Sequence, residues 1–358
     1  MCTIVFGGEK MTNSAFNLMK KQDQLIKNFA INKSSNNSSL MKLSQRILAE
    51  IMVFRRVPES TSSCNDLYCS KCTSPHLPQI LSAVKQNKPI TFILPAFPGK
   101  SPNPKKVLGH LPDFAEQLSL RFLGNLCLQI KKIYTPGIKI MLCSDGRVFS
   151  DVVGMMEHHV GAYQAELDNL IEEMALTSIS TFNLDDFYQN IHFVQMRIEL
   201  MNSYGSSLDV LRKKVRNGTK PLASPDEQEA NRMYRGITRF LFEDAMHQGQ
   251  TKSRTAIQKE AREKAYEVIR RSNAWSRLLE VHFPEAVRLS IHPQTCGAKK
   301  LGIRLIGNES WMTPWHGVAV ENKNGYVLLK RSEAEALGAT LMCSSNGRHS
   351  HYTLMTGV

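Results

Sequence analysis

The sequence predicts an α/β protein with a mostly parallel sheet flanked by helices, followed by a C-terminal α+β part. Three observations predict it. The run PITFILP, residues 89–95, is short, apolar and β-branched between two prolines, the pattern of a buried strand. Residues 111–134 then read as an amphipathic helix. Asp113 and Glu116 sit near its start and Lys131 and Lys132 near its end, as the helix dipole favours. Residues 139–143 repeat the strand pattern and residues 160–174 the helical one. Strand, helix, strand, helix at this spacing marks a parallel sheet.

The remaining elements follow in order. A helix is predicted over 16–30, a polar flexible loop over 31–40 (INKSSNNSSL), and a second helix over 43–54. Residues 58–75, rich in Ser, Pro and Cys, read as irregular. PGKSPNP, residues 98–104, is turn chemistry, and Gly137 ends the first strand–helix unit. Helices are predicted over 226–247 and 254–279. Strand-like runs return at 287–291, 302–306, 316–320, 326–330 and 340–342, with Asn324-Gly325 as a hairpin turn. No internal repeat is visible. This divides the chain into an N-terminal extension, partly flexible (1–68), an α/β domain (69–220) and a C-terminal α+β portion that completes the site (221–358).

At 358 residues the chain can bury a large core. No apolar run approaches the roughly 18–20 residues that span a bilayer, and the N-terminus lacks the features of a secretory signal. A cytoplasmic protein is expected, with Met11 an alternative start. The net charge of +13 invites a nucleic-acid reading. The basic residues are nevertheless spread along the chain. The densest runs are 212–216 and 252–271, and the second interleaves acids as a solvated helix face does. A basic surface serving an anionic small-molecule substrate is the better reading.

Of the eight cysteines, Cys127, Cys143 and Cys343 lie in apolar surroundings and read as core residues. Cys64, Cys69, Cys72 and His76 form C-x4-C-x2-C-x3-H, a ligand set suited to tetrahedral zinc. The spacing matches no common zinc finger, so a metal-free protein is expected, with this set as the candidate exception.

In a parallel sheet the ligand crevice lies beyond the carboxyl ends of the strands. PAFPGKSPN and SDGR both follow predicted strands. Lys100, on a proline-stiffened loop, can hold an anion as a point charge. Asp145 and Arg147 form either a plain turn with an ion pair or an acceptor and a donor fork in the crevice. In VQMRIEL, strand alternation would place Arg197 and Glu199 on one side. His292 ends an apolar run before a proline. Trp311, Trp315 and His316 lie in WMTPWHGVAV, where two tryptophans so close suggest a pocket wall. Arg232, Arg235 and Arg239 share a helix face, and Arg304 follows the run at 299–303. The motifs of dinucleotide enzymes, P-loop NTPases, α/β-hydrolases and zinc proteases are missing.

Taken together, FILPAFPGKSPNPKKVLGHLPDFAE, MLCSDGRVFSDVVG, NRMYRGITRFLFED, VRLSIHPQ, KLGIRLIG, WMTPWHGVAV and LLKRSEAEALGA resemble the isocyanide (isonitrile) synthase family. These are the PvcA/IsnA-like enzymes, related to the enzyme of spore-wall dityrosine precursor synthesis. The resemblance covers roughly residues 69–358. It implies a Rossmann-like core that binds no dinucleotide. It also implies a reaction between the amine of an aromatic amino acid and ribulose 5-phosphate as co-substrate, with no cofactor. The amine condenses with the sugar's C2 ketone, and proton removals and fragmentation leave C2 as the isonitrile carbon. A separate iron/2-oxoglutarate oxygenase in related pathways, of the paerucumarin and pyoverdine-cluster kind, processes the product.

On that resemblance, Lys100, Asp145, Glu199, His292 and His316 are the candidate catalytic residues. Arg147, Arg197, Arg232, Arg235 and Arg304 are candidate binders of phosphate or carboxylate, and Trp311 and Trp315 are candidate walls of the aryl pocket. Tyrosine is favoured over tryptophan as substrate. Two other classes stay open: another sugar-phosphate or amino-acid enzyme on the same fold, and a basic zinc-bearing binding module.

Overall fold

The computed structural model describes residues 36–58, 64, 69–247, 249–307 and 312–354. The helix expected over 16–30 and Trp311 lie outside the described residues. The first described helix, α1 (Asn36–Met52), reaches back into the stretch expected to be a loop. Its buried face, Ile47, Leu48, Ile51 and Met52, belongs to the main core. Tertiary burial of that face outweighs the low helix propensity of the Asn and Ser residues at its start. Two short helices follow, α2 (Ser70–Thr73) and α3 (Leu77–Lys85).

Strand β1 (Ile90–Leu94) is almost wholly buried, as expected for an apolar run in a parallel sheet. Helix α4 (Phe114–Ile133) carries the chain back, and β2 (Ile138–Ser144) pairs with β1 in parallel. Asp113 caps α4 and closes a capping box with Glu116. Beyond β2, the expected turn at SDGR is instead the start of a helix, α5 (Gly146–Val153), followed by α6 (Glu157–Glu173) and β3 (Ile179–Asn183). Strand β3 is short and polar, which hid it from the sequence pattern.

A helical excursion follows: α7 (Leu184–Phe187), α8 (Phe193–Tyr204), α9 (Leu208–Asn217), α10 (Pro225–Ala245) and α11 (Arg254–His282). The run VQMRIEL lies in α8. The strand reading fails there, because Met196 and Leu200, four apart, are the buried positions of a helix face.

The chain then returns as β4 (Val287–Ser290) on the other side of β1, with β5 (Leu301–Gly302) beyond it. The five strands stand in the order β3-β2-β1-β4-β5, all pairs parallel. Strand order therefore reverses between β1 and β4, the switch point where an open α/β sheet forms its ligand crevice. Two of these strands come from beyond residue 220, so the division expected there does not separate the sheets.

Strand β5 is shorter than the run expected over 302–306. At Ile303 the pairing passes to Arg55, and the Arg56 N–H and Phe54 carbonyl bond Gly302 and Arg304. Residues 54–56 thus close the sheet edge, and this part of the expected N-terminal extension is integral to the fold.

The C-terminal sheet contains β6 (Val318–Asn322), β7 (Gly325–Leu329), β8 (Thr340–Cys343) and β9 (His349–Thr353), in the order β7-β6-β9-β8. The β6–β7 hairpin turns at Asn324-Gly325, with Gly325 at φ 107°. Helix α12 (Arg331–Ala336) links β7 to β8. The strand expected to begin at His316 starts two residues later, because Pro314–His316 forms a single 3-10 turn. Cys127 and Cys143 are buried as expected, whereas Cys343 is exposed.

Candidate active site

The site is built from the loops at the carboxyl ends of β1, β2 and β4. After β1 the chain turns sharply. Phe97 is fully buried at φ 58°, a left-handed conformation rare for a bulky residue, and Gly99 follows at φ 134°. Phe97 is held by Trp315, with ring centroids 5.3 Å apart, and its carbonyl accepts the Ser144 hydroxyl at 2.6 Å. The glycine of SDGR has a direct steric cause. A Cβ on Gly146 would stand 1.9 Å from the Pro98 carbonyl oxygen. Only glycine lets the β1 and β2 loops close to this distance.

Lys100 is enclosed. Its Nζ meets Asp113 Oδ2 at 2.8 Å and Glu116 Oε2 at 2.7 Å, and donates to the Pro314 carbonyl at 3.0 Å. All three ammonium protons therefore have partners. Desolvation alone would lower the Lys100 pKa; the two carboxylates reverse the effect and raise it. Two acids share one cation, however. Enclosure pushes Glu116 up to about 7 against the pull of Lys100, with the Asp113 charge adding to the rise. The Tyr163 hydroxyl donates to Glu116 Oε1 at 3.2 Å. Lys100 was expected to be an open anion anchor. In this conformation it is an internal ion-pair hub.

A second enclosed pair ties the same loop to α10. Lys106 Nζ lies 2.5 Å from Asp244 Oδ1, which also accepts the Ser101 hydroxyl at 2.9 Å. Ser101 N–H donates to the Trp315 carbonyl at 2.8 Å. The loop after β1 and the TPWHG turn are thereby locked together. Trp315, only 3% exposed, is a core residue of this lock and not the wall of an open aryl pocket.

Beside the lock stands His316. Its Nδ1 is buried without a hydrogen-bond partner. Desolvation, then the charges of Lys106 and Lys100, lower its pKa to about 3. The imidazole is neutral at working pH and can accept a proton or a hydrogen bond. Asp145, at the end of β2, occupies the N-cap position of α5, yet its side chain makes no capping bond. Loss of water raises its pKa to about 7, a value suited to general base or acid work.

The end of β4 gathers cations. Arg56 is lowered to about 10 by desolvation and by Arg304. Lys300 is lowered to about 8 by desolvation and by Arg288. His292 is exposed as a residue, but desolvation of its ring, with the charges of Arg56 and Lys300, lowers it to about 4. Arg56 also donates to the Ile291 carbonyl and so holds the His292 loop. Burial is the first cause of each shift, and the neighbouring positive charges add to it.

Arg197 lines a neighbouring groove of about 720 Å³, together with the apolar Met155, Phe193 and Ile198 and the charged Asp151, Glu157 and Arg271. Arg147 stands behind Glu157 at its edge. Arg147 bonds the Glu157 carbonyl and carboxylate at 2.8 and 2.9 Å, and reaches Asp185 at 3.2 Å. Arg197 pairs with Glu157 and, at 3.0 Å, with Asp151. Both guanidiniums lie over the Phe193 ring.

Glu199 does not join them. It accepts from Gln195 at 2.7 Å on the outer side of α8. Arg232 and Arg235 are exposed on α10, with Arg232 paired to Glu229, and Arg239 pairs with Glu243 at 2.9 Å. None of these four faces the crevice groups in this conformation. The cysteine set also differs from expectation: Cys296 takes the place of His76 beside Cys64, Cys69 and Cys72.

Sequence reasoning missed Asp113, Glu116, Asp244, Arg56 and Glu157 as site residues. Lys106, which was expected beside Lys100 to deepen an anionic site, is instead paired with Asp244. Asp113 and Glu116 were visible as helix-start acids, but nothing local showed that they also hold Lys100. Asp244 lay in the quoted block NRMYRGITRFLFED, where only the arginines drew attention.

Comparison with known proteins agrees with this architecture. The family model described as pyoverdine/dityrosine biosynthesis protein matches residues 80–342. An L-tryptophan isonitrile synthase of Fischerella ambigua is 44% identical over 311 residues, 87% of this chain and 91% of that protein. An L-tyrosine isonitrile synthase of Pseudomonas aeruginosa is 44% identical over 319 residues, 87% of this chain and 94% of that protein. The crystal structure of the PvcA protein from Pseudomonas aeruginosa superposes with a TM-score of 0.80 at 44% identity, covering 87% of this chain and all of that one. With these matches, the chain belongs to the DIT1/PvcA family of pyoverdine/dityrosine biosynthesis proteins.

Proposed function

We propose that this chain is an isonitrile synthase that joins the amine of an aromatic L-amino acid, tyrosine for preference, to ribulose 5-phosphate. The observation that carries the reading is the 44% identity, over 87% of the chain, to proteins named as isonitrile synthases of both tryptophan and tyrosine. The geometry supports it. The cations Arg56, Lys300 and Arg304 at the carboxyl end of β4, with the neutral His292 beside them as a hydrogen-bonding group, suit a phosphate. The groove beside Phe193 has apolar walls that suit an aryl ring. Arg197 lines it but is paired with Asp151 and Glu157, so it would take a substrate carboxylate only by exchanging those partners.

In this reading the amine attacks the C2 ketone of the sugar, and loss of water gives an imine. Proton removals then precede fragmentation: the C1–C2 and C2–C3 bonds break, phosphate leaves, C1 and C3–C5 depart as two carbonyl fragments, and C2 remains as the isonitrile carbon. Asp145, titrating near neutrality, takes a proton as general base, and neutral His316 holds a hydroxyl by a hydrogen bond. The Lys100–Asp113–Glu116 hub, through the Pro314 carbonyl, holds the turn that carries His316. No redox cofactor takes part. The product passes to a separate iron/2-oxoglutarate oxygenase in secondary metabolism.

The test is incubation of the purified protein with ribulose 5-phosphate and either tyrosine or tryptophan. The expected product shows an isonitrile stretch in the infrared and one added carbon by mass, and forms faster with tyrosine. Folded protein that yields no isonitrile from either amino acid would contradict the assignment. Faster turnover of tryptophan would overturn the substrate preference alone.

A further inference from the structure

Four cysteines outside the crevice converge, three from one short stretch of chain and Cys296 from more than two hundred residues away. The sulfurs of Cys64, Cys69, Cys72 and Cys296 all lie within 4.8 Å of one another. Cys64 Sγ stands 3.4 Å from Cys72 Sγ, and Cys69 Sγ 3.6 Å from Cys296 Sγ. Neither distance is a disulfide, whose sulfurs sit about 2.05 Å apart. Four thiolates about 2.3 Å from one tetrahedral zinc ion have sulfur–sulfur edges of about 3.8 Å. The cluster has nearly that size already.

We propose that Cys64, Cys69, Cys72 and Cys296 bind one structural zinc ion as a closed four-thiolate site.

Three further features suit it. Cys69-x2-Cys72 is a tight turn, with the Cys72 and Thr73 N–H groups donating to the Cys69 carbonyl at 2.9 and 3.0 Å, which brings two sulfurs to one side of the chain. Gly297, at φ 82°, directs its N–H to the Cys72 sulfur, so the Cys296-Gly297 pair makes a second such turn. Arg55 lies 3.7 Å from Cys64 Sγ and also bonds the Cys64 carbonyl, which offsets the net negative charge of four thiolates around a divalent ion.

With four protein ligands the ion has no open position, so its role is structural. It ties Cys64 and the turn from Cys69 to Cys72 to the loop between β4 and β5. That loop also carries Lys300, and the same neighbourhood holds Arg56 and Gln294, whose N–H donates to the Arg56 carbonyl. His76, 3% exposed and with its pKa lowered to about 4 by burial, packs beside the site without belonging to it.

The experiment is elemental analysis of the full chain, expressed without a metal-chelating tag, joined to cobalt substitution. The expected result is one zinc per chain, and on cobalt exchange the intense thiolate-to-cobalt bands of a tetrahedral site. Cys296→Ser and Cys69→Ser are expected to reduce bound zinc from one equivalent to near none, while His76→Ala keeps it. If the serine variants do not fold, the metal content and cobalt spectrum of the unaltered chain still decide. Folded protein without zinc, iron in its place, two disulfides found by mass, or loss of zinc in His76→Ala with retention in Cys296→Ser would each overturn the proposal.

Discussion

Two cationic regions flank the switch point, and they are built in opposite ways. On the β1 side, Lys100 and Lys106 are enclosed and each meets buried acids at hydrogen-bonding distance. On the β4 side, desolvation, with Arg304 beside Arg56, Arg56 and Lys300 beside His292, and Arg288 beside Lys300, lowers the pKa values of Arg56, His292 and Lys300. The first arrangement is complete without a ligand and fixes loops. The second improves when an anion arrives. A buried lysine next to a crevice is therefore no proof of substrate contact; whether its charge is already neutralised decides.

The comparison breaks most visibly at Lys100. Lys100→Ala leaves Asp113 and Glu116 enclosed without their cation, an expected loss of about 3–5 kcal/mol of stability. Thermal or denaturant unfolding measures it, and a variant of unchanged stability with a raised KM for the sugar phosphate would return Lys100 to the role of open anchor.

Asp145→Asn is the next largest effect. A drop in kcat of about 10²–10⁴-fold is expected at constant fold. The pH profiles sharpen it. The Asp145 pKa is raised from 3.8 to about 7, so the folded chain holds this proton more tightly than the unfolded one. Its contribution to stability is full below about pH 4 and is lost as pH rises through about 7. Asp145→Asn should flatten that slope and abolish the rising limb of kcat/KM near neutrality.

Arg304→Ala probes the β4 cluster. Losing one charged hydrogen-bond donor costs about 1.5–3 kcal/mol of binding. The expected KM for ribulose 5-phosphate rises roughly 10–100-fold while that for the amino acid stays constant. Equal rises in both would count against a phosphate site there. The smallest effects belong to Arg235→Ala and Glu199→Gln, on outer helix faces, which should stay within about 0.5 kcal/mol in stability and leave turnover unchanged.

The strand–helix rhythm of residues 89–174 was legible because strands buried on both faces read as unbroken apolar runs, and because acids and bases mark both ends of α4. Strands β3 and β9 were not legible, since ISTFN and HSHYT carry few apolar residues. At the site, the loops at Lys100, Asp145, His292 and His316 were visible as polar residues just past apolar runs. Their partners were not. Asp113, Glu116 and Asp244 look like ordinary helix acids until the fold brings Lys100 and Lys106 to them. Trp315 misled because a tryptophan near a crevice can equally pack beneath it. Cys296 was hidden for the same reason: its partners lie more than two hundred residues away.

The measurement that tests the central claim most directly is turnover of tyrosine with ribulose 5-phosphate carrying ¹³C at C2. The account expects an isonitrile whose carbon is the labelled atom, seen as a shifted infrared stretch and a mass increase of one unit. An unlabelled isonitrile, or folded enzyme that forms none, would contradict it.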